Sequence, residues 1–467
     1  IESVTSTPTP AKAGEPLSVT ISSTDADGGM CGMEVEWGDG SVTMKQVGGN
    51  HKPFPLTLQH TYAKPGDYRI KASGKRVETY LPCSSQIRYI VKVEGGAPAA
   101  AGAAKSACPA DWVMKGKAAN KDGSIPAYTG ASVTPAGFKA GSAVRPDPFA
   151  SEKPKFSVTP ANAAQYSDKL TAGAKELLKK FPDFRMDVFP THRSYVVPQS
   201  VIDGTLKNAT NAKTKDGGVG IEGAHGGIPF PIPKNGIEVM WNHMLRYQML
   251  AYTSSIESFN VDASGNVVQS NGAKNWADFP YYASTADGSG NYYRLKTLNY
   301  APTRRVGEAL IIIDNINPLD KGRRAWQYLP GQRRVKVAPD IAYDTPTPNT
   351  AGASNYDDTF MYNGAMDRFD YKLVGKKEMI VPYNTYKFTF EPDIAKNLAG
   401  KQFANPDFFR WELHRVWVVE ATLKPGARHS YAKRTFYVDE DSWMVLATDS
   451  YDARGQLYRA AFDAFTP

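Results

Sequence analysis

Apolar and polar residues alternate most regularly over residues 411–462, WELHRVWVVEATLKPGARHSYAKRTFYVDEDSWMVLATDSYDARGQLYRAAF. Four runs rich in β-branched and aromatic residues are separated by Pro425-Gly426, by Asp439-Glu440-Asp441-Ser442 and by Ala453-Arg454-Gly455, the composition of strands between turns. Connections this short join antiparallel neighbours, so the stretch predicts a meander. Its first run places Leu413, Arg415, Trp417, Val419, Ala421 and Leu423 on one face. Glu412, His414, Val416, Val418, Glu420 and Thr422 take the other. Apolar groups on both faces fit a sheet covered on both sides, here a curved sheet wrapped over a helix or a ligand.

Helical spacing appears twice upstream. Thr159-Pro160 reads as an N-cap followed by proline at the first helical position. Ala163, Tyr166, Leu170, Ala174, Leu177, Leu178 and Phe181 then form one apolar face, closed by Pro182. Gly173 lies inside at a cost of about 1 kcal/mol. This helix is the candidate for the concave side of the sheet. A second helix is expected from about residue 236, after Asn235 and with Glu238 at the capping-box position. Its stripe is Ile237, Met240, Trp241, Met244 and Leu245. His243, beside the stripe and outside any HExxH pattern, reads as a hydrogen-bonded core histidine rather than a metal ligand. Residues 217–233, rich in Gly and Pro, hold no phosphate-binding phrase and read as an irregular loop. Further strands are expected at 292–300, 305–313, 325–329 and 332–337. Pro330-Gly331 suits a type II turn between the last two, and Trp326 and Tyr328 share a face.

The first hundred residues change character. Short alternating runs at 17–22, 33–37, 68–72 and 88–93 predict a small β-sandwich. Trp37-Gly38-Asp39-Gly40, then His60-Thr61-Tyr62 and Pro65-Gly66-Asp67-Tyr68, resemble the signature of PKD (polycystic-kidney-disease-like) domains over residues 1–95. That resemblance implies an extracellular spacer or adhesion module. Cys31 and Cys83 are expected to form a disulfide in an oxidising compartment, against the alternative of two buried thiols. Asp25-Ala26-Asp27-Gly28 lacks the full calcium-loop pattern and reads as a solvated turn. Residues 96–107 form a linker. Lys105, three positions before Cys108, argues against lipid attachment there.

With 467 residues the chain is long enough for two or more domains, and it has no apolar run of membrane-spanning length. Ile1-Glu2-Ser3 does not begin a signal peptide, so an exported protein is expected to have had its signal removed. The net charge of +8 is uneven: residues 1–96 hold ten basic and ten acidic residues, and the remainder 45 and 37. Such a surface favours anionic lipid or an acidic partner, or serves only solubility. No run of five Lys/Arg exists, which argues against a nucleic-acid partner. Catalytic signals are missing. There is no GxSxG elbow, and three cysteines provide no zinc site. Glu412 and His414 share a strand face two residues apart, and His192 and His429 sit near turns; each is open to acid–base work, though a polar strand face explains them equally well. No cofactor is expected. The aromatic residues Trp326, Tyr328, Trp417, Phe436, Trp443 and Tyr451 fall on predicted strands. They are the candidate lining of an apolar ligand cavity, with core packing as the competing reading.

Seven phrases carry a resemblance over residues 108–467: PTHR at 190–193, GGIPFPIPKN at 226–235, WNH at 241–243, AWQYLPGQRR at 325–334, YKLVGKKEMIVPY at 371–383, ELHRVWVVEATLK at 412–424 and DSYDARGQL at 449–457. Together they resemble a large bacterial domain family of unknown function labelled outer-membrane lipoprotein-sorting-like. The resemblance implies a LolA/LolB-like half-open antiparallel β-barrel with helices in its concave side. It also implies a non-enzymatic protein of the periplasm or outer membrane that binds a lipid or other hydrophobic ligand, alongside an envelope transporter or outer-membrane protein. The alternative is a structural subunit of an envelope assembly, self-filled, with the PKD-like domain docking partners.

Overall fold

The computed structural model describes residues 1–467 except 24–29, 49–52, 78–79, 95–117, 132, 134–137, 139–141, 143, 284–285, 287, 339–340, 342 and 401. The turn at 25–28, the linker at 96–107 and Cys108 lie outside the described residues. The chain divides into two units, Ile1–Lys105 and Ser106–Pro467.

The smaller unit contains β1 (Ser3–Thr7), β2 (Ala11–Lys12), β3 (Pro16–Ser22), β4 (Cys31–Glu36), β5 (Val42–Val47), β6 (Leu56–Thr61), β7 (Gly66–Gly74) and β8 (Gln86–Glu94). They form two sheets, β1-β3-β6 and β2-β8-β7-β4-β5. Alternate residues of each, Leu17, Val19 and Ile21 against Met33, Val35 and Ile70, are sealed in one core. The two marked phrases meet at its edge. Trp37 stacks on His60 with centroids 4.4 Å apart, and Tyr62 Oη donates to the Trp37 carbonyl at 2.8 Å. Asp39 accepts from the Ser41 N–H at 2.9 Å and lies 2.7 Å from His60 Nε2. Cys31 and Cys83 are joined in a disulfide. Denatured, unreduced protein is therefore expected to titrate no more than one thiol per chain, and three after reduction. Three before reduction would contradict the bridge.

The larger unit is mainly β. Its strands are β9 (Phe156–Val158), β10 (Met186–Val188), β11 (Lys213–Lys215), β12 (Gly220–Glu222), β13 (Ala251–Val261), β14 (Val267–Asp278), β15 (Asn291–Ala301), β16 (Ala309–Asn315), β17 (Arg324–Leu329), β18 (Arg334–Val337), β19 (Phe369–Pro382), β20 (Trp411–Leu423), β21 (Lys433–Asp439), β22 (Val445–Tyr451) and β23 (Leu457–Phe462). Its helices are α1 (Ala172–Lys180), α2 (Gln199–Asn211), α3 (Gly236–Met244) and the single turn α4 (Tyr386–Thr389). The expected meander is present in the order β23-β22-β21-β20, and β19 pairs antiparallel with β20 from Trp411 to Leu423. A second meander, β13 to β18, forms a six-stranded sheet. The unit is thus mainly β and contains a curled half-barrel sheet.

Helix α3 is the element both sheets close over. Asn235 caps it by accepting from the Glu238 N–H at 3.0 Å, as the sequence predicts. Eight of its nine residues are buried, so it is wrapped rather than amphipathic. Val239, Met240 and Trp241 pack with Val419, Ala421, Phe436 and Val438 of one sheet and Ala277 of the other. The polar residues on α3 are satisfied internally. Asn242 accepts from the Phe230 N–H at 2.9 Å and donates to the Phe230 carbonyl at 2.6 Å. His243 lies 3.0 Å from the Tyr362 carbonyl through Nε2 and accepts from the Val445 N–H through Nδ1 at 3.2 Å. Burial holds it neutral, well below the usual histidine range. It is the satisfied core histidine the sequence suggested.

The first predicted helix is corrected in two respects. The segment splits into a 3-10 turn at Ala163–Lys169 and α1, because Thr171 caps a new helix by accepting from the Ala174 N–H. Nor does α1 enter the concave side. Asp449 accepts from the Ala172 and Gly173 N–H groups at 2.9 and 2.8 Å. Asp449 pairs with Thr435, one residue from the α3-facing Phe436, so alternation puts α1 on the opposite face of β21 and β22. Gly173 is required there, since a Cβ would lie 2.3 Å from Ala460 Cβ. Gly173→Ala should therefore lower the thermal midpoint of the larger unit, although the same change in a free helix stabilises by about 1 kcal/mol. A higher midpoint would contradict this packing. The 329–334 connection also differs from a two-residue type II turn. Pro330–Gln332 form a 3-10 turn, and Arg333 takes the left-handed region at φ 48°.

Candidate functional site

With α3 filling the space between the sheets, the cavities lie outside it; one is beyond the helix's C-terminal end, and another of about 580 Å3 lies beside α1, lined by Phe181, Phe403 and Trp411. The first is a cavity of about 670 Å3, open to solvent, built where several segments converge. They include residues 194–196 after β10, residues 246–249 after α3, the β21–β22 turn at Ser442, residues 463–467 after β23, and Arg145, Phe360 and Tyr386 from further segments. Tyr195, Tyr252, Phe360, Met444 and Phe465 make its wall mainly apolar. Ordered contacts hold the wall: Tyr195 Oη donates to the Tyr247 carbonyl at 2.8 Å, and the Phe465 ring packs edge-on against Tyr383 at 5.0 Å.

Three charged groups among the described residues line the void, Arg145, Arg246 and Asp463. Arg246, only 5% exposed, donates through Nη1 to the His243 carbonyl at the end of α3 (2.8 Å) and through Nη2 to Gln248 Oε1 (2.9 Å). Its guanidinium stands 5.3 Å from the Phe360 ring centre. Asp463 lines the same cavity, and burial pushes its carboxyl up to about 6 against the pull of Arg246. Because this value lies above that of an unfolded aspartate, near 3.9, the folded chain binds the extra proton between about pH 4 and 6, and stability falls as pH rises through that window. Asp463→Asn should consequently raise the unfolding midpoint at pH 8 and leave it unchanged at pH 4. An equal effect at both pH values would contradict the burial.

Behind the cavity floor lies a sealed layer of charge. Arg193 grips Asp441 through Nε and Nη2, both at 2.7 Å, and reaches Glu440 at 2.8 Å. Arg415 and Lys376 also bind Glu440, at 2.7 and 2.8 Å. Glu412, fully buried, is penalised by burial. Hydrogen bonding from His414, the His414 and Arg410 charges and the His192 N–H outweigh that penalty and hold it below the usual carboxylate range. Asp439 is raised by burial and by its neighbour Asp441. Its Oδ2 accepts from the Ser442 N–H and hydroxyl at 2.8 and 2.7 Å. Ser442 and Ser194 extend from this layer into the cavity lining. The layer fixes the loops; His414, Glu412 and Asp439 are all at most 1% exposed. His192 and His429 likewise pair with carboxylates, Glu152 at 2.7 Å and Asp357 at 3.0 Å. Among the described residues no group of three or more His, Cys, Asp or Glu is placed to hold a metal ion.

The six aromatic candidates are not gathered around one void, and none lines this cavity. Phe436 and Trp443 belong to the core around α3. Trp417 stacks on Trp443 at 6.2 Å beneath Lys376. Tyr451 lies 5.5 Å from Lys433 Nζ. Trp326 and Tyr328 occupy the outward face of the six-stranded sheet. The inward row there is Tyr252, Ala277, Leu295, Ile312 and Ala325, and the next row out is Thr253, Trp276, Lys296, Ile311, Trp326 and Val337. Arg246 was not singled out in the sequence. Its signal is a lone cation inside the otherwise uncharged, mostly apolar run MLRYQML, residues 244–250.

Half-barrel, enclosed helix and end cavity describe a chain whose family is defined by sequence. Residues 157–467 match the model of the family described as protein of unknown function (DUF1329), and the chain belongs to that family. It is 42% identical over 353 residues to the uncharacterized protein PA3922 of Pseudomonas aeruginosa, covering 74% of this chain and 76% of that one. Among solved structures, a DUF1329 family protein from Desulfovibrio piger aligns over 45% of this chain and 70% of its own, at 18% identity and a TM-score of 0.30. A LolA superfamily protein from Nitrosomonas europaea aligns over 48% and 75%, at 11% identity and 0.27. Scores this low do not define a shared fold. No helix among the described residues is long and apolar enough to cross a membrane.

Proposed function

We propose that this protein is a non-enzymatic binder of a lipid or other hydrophobic ligand in the bacterial cell envelope, holding the ligand at the end of the half-barrel rather than beneath the sheet. The observation that carries the reading is the open cavity of about 670 Å3 with its wall of Tyr195, Tyr252, Phe360, Met444 and Phe465. Its size and apolar character, with few polar groups, suit a small-molecule site. The Cys31–Cys83 disulfide supports an oxidising compartment. The smaller unit, whose Trp37, His60 and Tyr62 meet as described, acts on this reading as a PKD-like spacer. An envelope transporter or outer-membrane protein would supply or receive the ligand. Delipidated protein should take up about one equivalent of a fluorescent fatty acid, and Met444→Lys should reduce uptake at least tenfold. Uptake unchanged in that variant would remove the cavity from the reading.

A second reading, a subunit of an envelope assembly, has its own support. The outward row of the six-stranded sheet ends in Ile311, Trp326 and Val337, and Val337 is 69% exposed. Exposed apolar groups in a row are a feature of docking surfaces. A ligand-free protein whose oligomers vanish on Trp326→Asp would favour it.

A further inference from the structure

Arg246 is an unusual charge to bury. Its guanidinium is almost wholly withdrawn from solvent, yet no described carboxylate oxygen lies within the 4.0 Å of an ion pair. Of its five N–H groups, one satisfies the last turn of α3, as cations near helix C-termini commonly do, and one goes to Gln248. Nε and one N–H on each terminal nitrogen have no acceptor among the described residues, and the side chain lines the void. A buried cation with no carboxylate in direct contact, only the charge of Asp463 across the cavity, carries a large desolvation cost. Planar, forked donors are suited to carboxylate and phosphate oxygens.

The other charged side chains around the void, among the described residues, are Arg145 and Asp463. Arg145 donates to the Pro467 carbonyl at 3.1 Å. The titratable phenols of Tyr195, Tyr247, Tyr252 and Tyr386 also face it; burial raises those of Tyr195, Tyr252 and Tyr386 above the ordinary value, which keeps them uncharged at neutral pH. Among the described lining side chains two arginines stand against one aspartate, which disfavours a cationic amphiphile. The apolar wall disfavours a small hydrated anion on its own.

We propose that the cavity takes a single-chain amphiphile with an anionic head group, a carboxylate or a phosphate ester. The head pairs with Arg246 and the acyl chain lies along the aromatic wall. The inference rests on the ligand-binding reading above and adds the chemical class of the ligand. Asp463 opposes the head group, so its protonation strengthens binding. Affinity for the anion rises as pH falls from 8 toward 5, provided the ligand itself stays ionised.

Calorimetric titration of the delipidated full chain at pH 7.5 with oleate, 1-oleoyl lysophosphatidate, oleyl alcohol and inorganic phosphate tests it. Oleate and lysophosphatidate should bind at least tenfold more tightly than oleyl alcohol, and phosphate alone not measurably. Arg246→Met should erase the preference and leave oleyl alcohol within threefold. Asp463→Asn should tighten oleate several-fold without changing the alcohol. Oleyl alcohol binding as well as oleate overturns the head-group assignment and leaves the ligand-binding reading standing. So does a preference that survives Arg246→Met, or phosphate binding as tightly as its lipid ester. Failure of all three amphiphiles to bind overturns both. Should Arg246→Met not fold, unchanged oleate affinity in Asp463→Asn overturns the assignment by itself.

Discussion

Arg193→Met is expected to lower the unfolding free energy of the larger unit by about 3–5 kcal/mol, the usual result of removing one partner from a buried ion pair. The reason is geometric. Two of the arginine's nitrogens bind Asp441 and one of them also binds Glu440, with both acids at most 6% exposed. Glu440 keeps Arg415 and Lys376, but Asp441 loses its bidentate partner while staying in the interior. Much of the loss comes from keeping the Asp441 carboxylate buried without this bidentate contact, so Arg193→Met combined with Asp441→Asn should recover a large part of it. Guanidinium unfolding of both variants checks this. A single variant within about 1 kcal/mol of the wild type would mean that the pair is more hydrated than its burial indicates. Because Ser442 lies one residue beyond Asp441, the single variant should also loosen the cavity and weaken ligand uptake.

Trp241→Ala should cost a similar about 3–5 kcal/mol. The indole is fully buried at the centre of α3, and Nε1 donates to the Gly218 carbonyl at 2.8 Å. Truncation leaves a void between the two sheets and a buried carbonyl without its donor. Trp241→Phe separates these terms. It keeps most of the volume and should lose only about 1–3 kcal/mol for the unmet carbonyl. Equal losses in the two variants would contradict the claim that α3 is the packed centre of the half-barrel.

The contrast between α3 and the cavity shows what alternation and periodicity convey. Trp411–Leu423 could be read as a strand covered on both sides because Val416 and Val419 face opposite ways and are both sealed. The capped start of α3 was legible because its signal is local: Asn235 and Glu238 are three residues apart. Helix α2 was not. It starts after Pro198 without a side-chain cap, and Gly204 interrupts it. That glycine is explained only by a distant segment, since its Cβ would lie 2.4 Å from the Gly226 carbonyl oxygen. Strands β13 and β14 were missed because their outward rows are rich in Ser, Thr and Lys, such as Thr253, Ser255 and Lys274. The cavity could not be read at all. Its segments lie up to about 330 residues apart, and no period links Tyr195 to Phe465. Alternation assigned Trp326 to a face correctly, but which face meets α3 is decided by the second sheet.

The central claim is that the end cavity holds a hydrophobic ligand. Native mass spectrometry of protein purified without detergent, followed by organic extraction of the same sample, tests it most directly. The account predicts one lipid-sized adduct per chain that is lost on extraction, restored by added oleate, and much reduced in Met444→Lys. A chain that carries no adduct, and takes up none when lipid is supplied, would contradict it.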